Sequence, residues 1–301
     1  PYIKRYCHFP DRLYLESIKE TFCLQSFSSI AKRFGVSVTS IIRWFDNLNY
    51  PHPKLPECIA IDELRGNAGG EKFQCNIADP VKHQVIDILP SRNTENLCKH
   101  FLEYPYKERA AVKKIIMDLS TLFRSVAKSM FPEAKIVADK FHVIRVVINS
   151  LENVRKRIQK EFHATKRKWF KRSRYLLLKP EYKLTSEDKT ELARMLNSSY
   201  DLEKAYVLKE RFYEVFRKQT RTEAKKELGK WLLLAADLSL PEFRHCITTF
   251  SNWKTEIANI IGERVSNGFI EGSNNKIKVL KRISYGVQNF DRFRNRILYL
   301  Q

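Results

Sequence analysis

The chain has 301 residues, of which 55 are Lys or Arg and 34 are Asp or Glu, and its formal net charge at pH 7 is +21. An apolar content of 43% is typical of a globular protein and excludes a disordered basic tail. The excess of positive charge indicates a polyanionic partner and favours nucleic acid over a membrane surface. No apolar run approaches the roughly twenty residues that span a bilayer, and no stretch has the pattern of a secretory signal. The six cysteines form no Cys-x-x-Cys pair, so we expect buried thiols in a cytoplasmic protein.

The first predicted elements are helices, which cover residues 11–48. Within them, residues 27–45 have the layout of a helix-turn-helix. Gly35 supplies the turn, and Ser37 is placed to cap the second helix. The outward polar side chains of that helix would meet a DNA groove, and they are Thr39, Ser40 and Arg43. A plain helical hairpin has the same pattern, so DNA contact by this region, residues 1–50, is a hypothesis.

A change of pattern marks the next region. Three prolines make residues 51–56 a stiff linker, after which strand-like and helical segments alternate. In chain order, we predict strands at Glu57–Leu64, Lys72–Ala78 and Gln84–Leu89, a helix at Thr94–Tyr104, a strand at Lys113–Asp118, a helix at Thr121–Met130 and a strand at Ala134–Ala138. This order is typical of a ribonuclease-H-like α/β core with a mixed sheet. We therefore assign residues 57–143 to the first part of such a core.

Residues 144–262 show a helical pattern throughout, with few glycines, and are predicted to form an all-α insertion. One more helix is predicted at residues 266–283, and residues 263–301 would complete the core. The insertion carries a run of cations interrupted by Trp169 and Phe170, a composition that suits a groove for nucleic acid. These cations are Arg155, Lys156, Arg157, Lys160, Lys166, Arg167, Lys168, Lys171, Arg172 and Arg174. A solvated helix face is the alternative, and we predict DNA binding.

Three acids occupy positions that suit metal chemistry. Asp62 and Asp118 each follow an apolar strand, and Glu271 begins a basic, amide-rich helical stretch. Carboxylates brought into one pocket repel one another unless a hard cation lies between them, and Mg²⁺ is the usual choice. Two Mg²⁺ ions would activate a water or a 3′-hydroxyl and stabilise the leaving oxygen. A single acid of this kind would be interpreted as a strand-end cap or a surface charge. Three in this order favour a site that cuts or joins DNA.

Two further groups of polar residues accompany the acids. The residues that follow Glu271 at i+4, i+7 and i+11 share its helix face, and they are Asn275, Lys278 and Arg282. This stripe suits contacts to a phosphate backbone, although a solvated basic face would explain the charges alone. Directly after the fifth strand, Asp139 and His142 have the spacing of a hydrogen-bonded pair. We predict that this pair supports the active site and performs no chemistry itself.

The motifs around these residues resemble those of bacterial insertion-sequence transposases, and they are most similar to the ISL-three group of DDE transposases. The similarity runs from the helix-turn-helix to the C-terminus and is most specific at residues 134–143 and 268–294. The segments that carry it are Ile61-Asp62-Glu63, the strand that ends at Asp118, Ala138-Asp139-Lys140-Phe141-His142-Val143, Phe269-Ile270-Glu271-Gly272-Ser273-Asn274-Asn275-Lys276-Ile277-Lys278, and Lys281-Arg282-Ile283-Ser284-Tyr285-Gly286-Val287-Gln288-Asn289-Phe290.

The resemblance implies a ribonuclease-H-like catalytic domain that a helical insertion interrupts before the last acid. It implies that Asp62, Asp118 and Glu271 are the catalytic triad and bind Mg²⁺, for which Mn²⁺ would substitute. It further implies cleavage at terminal inverted repeats and strand transfer into double-stranded target DNA, in the bacterial cytoplasm at the nucleoid. Two DNA ends must meet, so we expect a homodimer or higher assembly. The rivals are a metal nuclease of the same fold that does not join DNA, and a non-catalytic DNA-binding regulator.

Overall fold

The protein is described by a computed structural model that covers residues 9–66, 68–263, 265 and 267–300. Its chain divides into two compact units, Pro1–Ile136 together with Val265–Gln301, and Val137–Arg264. Among the helices of the described ranges, none combines the length and the apolar character that crossing a bilayer requires.

Three short helices begin the first unit, and they are α1 (Asp11–Thr21), α2 (Phe27–Phe34) and α3 (Val38–Asp46). Gly35 ends α2 in the left-handed region, where its φ of 66° favours glycine. Ser37 caps α3, because its side chain accepts a hydrogen bond from the Ser40 amide at 3.0 Å. Ile30 and Ile41 are buried where α2 and α3 pack. The helix–turn–helix arrangement is therefore present, and its contact with DNA stays a prediction.

A mixed sheet of five strands follows: β1 (Cys58–Arg65), β2 (Phe73–Asp79), β3 (Gln84–Leu89), β4 (Lys114–Met117) and β5 (Lys135–Ala138). The strand order is β3-β2-β1-β4-β5. The central strand β1 is antiparallel to β2 and parallel to β4, and β2 is antiparallel to β3. Ile59 to Ile61 are almost fully buried, as expected for a strand covered on both faces. This α/β arrangement is the one that the sequence predicts, and it is consistent with a ribonuclease-H-like core.

Three helices connect the strands of the first unit: α4 (Thr94–Leu102), α5 (Tyr106–Ala110) and α6 (Thr121–Met130). Asn93 and Ser120 cap α4 and α6 by accepting hydrogen bonds from amides of the first turn. The two helices pack together, and the rings of Phe101 and Phe131 meet edge to face at 4.8 Å. The sequence predicts α4 two residues too long, and it does not predict the five-residue α5.

The second unit is helical, as the sequence predicts, and its helices are α7 (Lys140–Ile158), α8 (Ala164–Arg172), α9 (Arg174–Leu178), α10 (Ser186–Leu196), α11 (Tyr200–Tyr213), α12 (Arg221–Asp237), α13 (Arg244–Asn252) and α14 (Lys254–Ala258). Its core is aromatic, with the ring centroids of Phe212 5.1 Å from those of both Trp231 and Phe250. Trp231 also donates from Nε1 to the Leu208 carbonyl at 2.8 Å. This tryptophan is thus part of the core.

Two helices complete the first unit, α15 (Gly268–Ile283) and α16 (Phe290–Tyr299). The sequence predicts α15 from residue 266, which lies outside the described residues, and it does not predict α16. The apolar faces of both helices pack in one buried cluster with β1 and β3, and its members include Leu64, Val85, Ile88, Ile277, Leu280, Phe293 and Ile297. α15 also contacts β2. The helix that carries Glu271 is therefore held against the central strands.

Candidate active site

Asp62 and Asp118 belong to neighbouring strands of the sheet. β1 and β4 are parallel, with Ile61 opposite Met117, and the two acids are the next residues along each chain. Neighbouring strands lie roughly 4.8 Å apart, so this register sets the backbones of the two acids side by side. The structure therefore brings the first two predicted acids together on the sheet.

Asp62 is held by hydrogen bonds from two directions. Its Oδ2 accepts from Asn274 Nδ2 at 2.7 Å, and its Oδ1 accepts from the Glu63 amide at 2.8 Å. Asn274 in turn accepts at Oδ1 from Asn76 Nδ2 at 2.8 Å. Asn76 lies opposite Asp62 in the β1–β2 register, and both asparagines are buried. Hydrogen bonds to a charged acceptor are strong, so β2 and α15 together fix the Asp62 carboxylate.

Glu271 lies in the first turn of α15, about one helical turn before Asn274. Its side chain is exposed, and its amide donates to the Asn267 carbonyl at 3.0 Å. Within the described residues, the ligand oxygens of Asp62, Asp118 and Glu271 do not all lie within 4.8 Å of one another. The structure thus joins α15 to Asp62 through Asn274, and it does not close the three acids into one set of metal ligands.

The second unit contains the predicted Asp139–His142 pair. Asp139 follows β5 directly and caps α7, with its Oδ1 accepting from the Phe141 amide at 3.3 Å. Its Oδ2 lies 2.5 Å from His142 Nδ1. Asp139 is buried and the imidazole is about one-third exposed, so the carboxylate fixes the orientation of the ring. The pair forms as the spacing predicts, and its supporting role stays a prediction.

A basic pocket lies where the β1–β2 connection meets the C-terminal half of α15. Five cations line it, and they are Arg65, Lys72, Lys278, Lys281 and Arg282. Glu71 is the acid among its lining residues. Lys281 donates from Nζ to the Arg65 carbonyl at 3.3 Å, and burial, with the charge of Arg65 next, lowers the pKa of Lys281. Two of the predicted phosphate contacts, Lys278 and Arg282, thus lie in one concave site.

Asn275, the first residue of the predicted stripe, does not line this pocket. Asn275 is exposed and accepts a hydrogen bond from Lys278 Nζ at 3.4 Å, whereas its neighbour Asn274 reaches Asp62. Asn274 and Asn76 are not among the site residues that the sequence predicts. A signal for Asn76 was present, because an amide in the middle of the apolar strand β2 must find a buried partner. For Asn274, the i+3 spacing from Glu271 was as suitable as the i+4 spacing of Asn275.

Comparison with known protein families identifies the family to which this chain belongs. A family model for DDE transposases of the ISL3 group, described as a transposase, matches residues 59–297 and so includes all three acids. The chain belongs to this family. Transposases of the DDE type typically use divalent metal ions.

Individual relatives agree with the ISL3 assignment. The chain is 26% identical over 241 residues to the transposase for insertion sequence element IS1001 of Bordetella parapertussis, covering 79% of this chain. It is 27% identical over 254 residues to the transposase for insertion sequence element IS1557 of Mycobacterium tuberculosis, covering 77% of this chain. These matches cover 59% and 57% of the two relatives. The chain therefore spans less than two-thirds of either relative.

The acids of this member of the ISL3 family have suitable donor chemistry for a hard divalent ion. Carboxylate oxygens are the ligands that Mg²⁺ prefers. Cys75 on β2 is a soft metal ligand on the strand next to Asp62, and it is fully buried. Burial above all, and then the charges of Asp62, Asp87 and Glu63, raises the pKa of the Cys75 thiol far above its ordinary value. Cys75 pairs with Glu63, the residue after Asp62, so its side chain lies on the opposite face of the sheet from the Asp62 carboxylate.

The predicted DNA contacts of the helix-turn-helix lie on the outer side of α3. Thr39 and Arg43 are exposed, as a groove-facing position requires. Ser40 is half-buried, and its hydroxyl shares a hydrogen bond with the Ser37 hydroxyl at 2.8 Å. Thr39 and Arg43 therefore stay candidates for base or phosphate contact, while Ser40 contributes to the N-terminal cap of α3.

The predicted cations of the insertion divide into two groups. Those on α8 are exposed, and they include Lys166, Arg167, Lys168 and Arg172. Arg155 does not have the exposure that its predicted contact with DNA requires. It is only 3% exposed, and its Nε donates to Glu152 Oε1 at 2.8 Å. Arg157 is more exposed but binds Glu242 and Asp201 at 2.7 and 2.8 Å. Both arginines form ion pairs with acids of the second unit, so the exposed cations of α8 are the better candidate surface for DNA.

Proposed function

We propose that this chain cleaves DNA at the terminal inverted repeats of an insertion sequence and transfers the freed 3′-hydroxyl into target DNA. The observation that carries the proposal is the Asn274–Asp62 hydrogen bond, which joins the helix of Glu271 to the strand of Asp62, beside Asp118 in the parallel register. The relatives support it, since both are named as transposases for insertion sequence elements.

Asp62, Asp118 and Glu271 would hold two divalent ions, Mg²⁺ or Mn²⁺. When bound, such ions activate a water or a 3′-hydroxyl and stabilise the leaving oxygen. The contribution of the protein is positioning. Asn76 and Asn274 hold the Asp62 carboxylate, and α15 keeps Glu271 about one turn from that contact. The Asp139–His142 pair would support the site from the start of α7.

DNA would be held by three surfaces of this chain. The basic pocket on α15, with Lys278 and Arg282, would bind backbone phosphates next to the acids. Thr39 and Arg43 on α3, in the region of residues 1–50, would help to recognise the repeat. The exposed cations of α8, in the insertion at residues 144–262, would hold flanking or target DNA.

Two ends of an element must be cut and joined together, so we propose a homodimer or higher assembly on DNA. Sizing of the protein–DNA complex by light scattering measures the stoichiometry. At least two protomers per pair of repeat ends are expected. One protomer per pair would rule out this assembly.

The test is a cleavage assay on labelled DNA that carries the inverted repeats flanking the gene of origin, in Mg²⁺ or Mn²⁺. Wild type is compared with Asp62→Asn, Asp118→Asn and Glu271→Gln. Matched controls are Asp237→Asn and Glu95→Gln, which remove exposed acids of the second unit and of α4. A paired-end substrate with a target plasmid measures strand transfer, and a scrambled repeat measures specificity.

Metal-dependent nicking at the repeat boundary, followed by joined product, is expected for wild type and both controls and is expected to be lost in the three active-site variants. Nicking without any joined product would favour the nuclease of the same fold. Tight binding without nicking would favour the DNA-binding regulator.

A further inference from the structure

Two histidines and a glutamate that have no part in the proposed reaction converge in the first unit. His52 lies in the segment between α3 and β1, His100 lies in the last turn of α4, and Glu103 directly follows that helix. One ligand atom from each of the three lies within 4.8 Å of the other two. His52 Nε2 and Glu103 Oε2 are 3.5 Å apart. His52 and Glu103 are exposed, so solvent reaches the cluster.

His100 supplies an independent observation. The residue is only 8% exposed, and its Nε2 has no hydrogen-bond partner among the described residues. Its other nitrogen, Nδ1, lies 3.7 Å from Oδ2 of the buried Asp87, which Arg294 binds through two nitrogens. Metal-binding histidines commonly have a carboxylate behind the nitrogen that does not bind the metal. Because Nδ1 faces Asp87, Nε2 is the ring nitrogen that stays available to a ligand.

The separation of His52 and Glu103 suits a tetrahedral ion. Ligand atoms about 2.0–2.2 Å from such an ion lie roughly 3.3–3.6 Å apart, and the His52–Glu103 separation of 3.5 Å falls in that range. Two imidazoles and one carboxylate favour Zn²⁺ and similar transition-metal ions, whereas Mg²⁺ prefers oxygen ligands alone. A surface ion pair would explain His52 and Glu103, but it would leave the buried Nε2 of His100 without a partner.

We propose that His52, His100 and Glu103 bind one divalent transition-metal ion of the Zn²⁺ type, with water or an external ligand in the fourth position. The ion joins the proline-rich segment of residues 47–57 to the end of α4. It thereby restricts the connection between the N-terminal helices and the sheet. This site is separate in its ligands from the Asp62, Asp118 and Glu271 set and needs no DNA.

The experiment is a titration of the tag-free full chain with Zn²⁺ by calorimetry, in excess Mg²⁺ to occupy oxygen sites. Co²⁺ is titrated in parallel, and its visible absorption reports four-coordinate geometry. The variants are His52→Ala and Glu103→Gln, both at exposed positions where folding is not at risk. The matched controls are His245→Ala and Glu95→Gln, which remove an exposed histidine of α13 and an exposed glutamate of α4.

Wild type and both controls are expected to bind one Zn²⁺ with equal affinity and to give the absorption of tetrahedral Co²⁺. His52→Ala and Glu103→Gln are expected to weaken Zn²⁺ binding at least tenfold and to abolish that absorption. Unchanged binding in these two variants, or an equal loss in the controls, would overturn the proposal. Neither result bears on DNA cleavage, so the proposed function is tested separately.

Discussion

At the scale of single residues, the environment of Asp62 explains how a carboxylate is kept in one position on a sheet. A side-chain amide can donate and accept at once, so Asn274 connects the buried Asn76 to the acid. The chain of hydrogen bonds crosses from β2 through α15 to β1. The three side chains are thereby coupled, and the loss of the middle one removes a hydrogen bond from each of the other two.

Asn274→Ala is expected to weaken divalent-metal binding and to slow cleavage by about 10- to 100-fold, because the carboxylate loses the donor that positions it. The half-saturating Mg²⁺ concentration for cleavage measures this effect and is expected to rise. A merely structural residue would lower the folded fraction without changing that concentration. The control is Asn275→Ala, which removes the exposed amide next to it and is expected to retain wild-type metal dependence.

At the scale of secondary-structure elements, α16 joins the N-terminal helices to the sheet through three arginines. Arg292 binds Asp46 at 2.8 and 2.6 Å, and Arg294 binds Asp87 of β3 at 2.5 and 3.0 Å. Arg296 is buried, donates to the Gln25 carbonyl at 2.6 Å, and has a pKa lowered by burial to about 10. These three contacts extend from α3 and the end of α1 to the edge of the sheet.

Arg294→Met is expected to destabilise the protein by about 3 kcal/mol, because it leaves the carboxylate of Asp87, 3% exposed, without its cation. Arg292→Met on the same helix is expected to lose at most about 1 kcal/mol, since Asp46 is 39% exposed and water replaces the arginine. Urea unfolding measures both. The double variant Asp87→Asn/Arg294→Met should be more stable than Arg294→Met alone, and a further loss of stability would contradict a buried ion pair.

At the scale of the whole molecule, the cations that give the net charge of +21 are not all available to bind DNA. Arg155 and Arg157 are bound to acids, whereas the basic pocket on α15 brings five cations together around one acid. Exposed and concentrated charge is what releases counterions from DNA. The pocket should therefore contribute to affinity without contributing to sequence recognition.

Lys278→Ala/Arg282→Ala is expected to weaken binding to repeat and scrambled DNA alike and to reduce the slope of log K against log salt by roughly 2, about one for each lost phosphate contact. Fluorescence anisotropy across a salt series measures the slope. The control is Lys128→Ala/Lys226→Ala, which removes two exposed lysines of α6 and α12. An equal change in slope for the control would show that the pocket adds nothing beyond net charge.

The sequence by itself determined the strands, the helix–turn–helix, the helical character of residues 144–262 and the family, because periodicity, caps and short motifs are local properties. The predicted boundaries differ from the structure by one or two residues in β1, β2, β4, β5 and α4. Local pattern also placed Asp62 and Asp118 at the ends of apolar runs that proved to be parallel neighbours. It could not predict α16, because the apolar face of that helix is buried only by packing against the sheet.

Only the tertiary structure decided which side chains meet. Asn274 and Asp62 are 212 positions apart, and helical spacing alone does not distinguish Asn274 from Asn275 as the residue that faces β1. Arg155 belongs to a basic run in the sequence, yet packing buries it against Glu152. Arg65 and Lys72 join Lys278 in one pocket, and His52 meets His100, because the fold brings distant segments together. Contacts of this kind depend on packing between elements, and no local pattern encodes them.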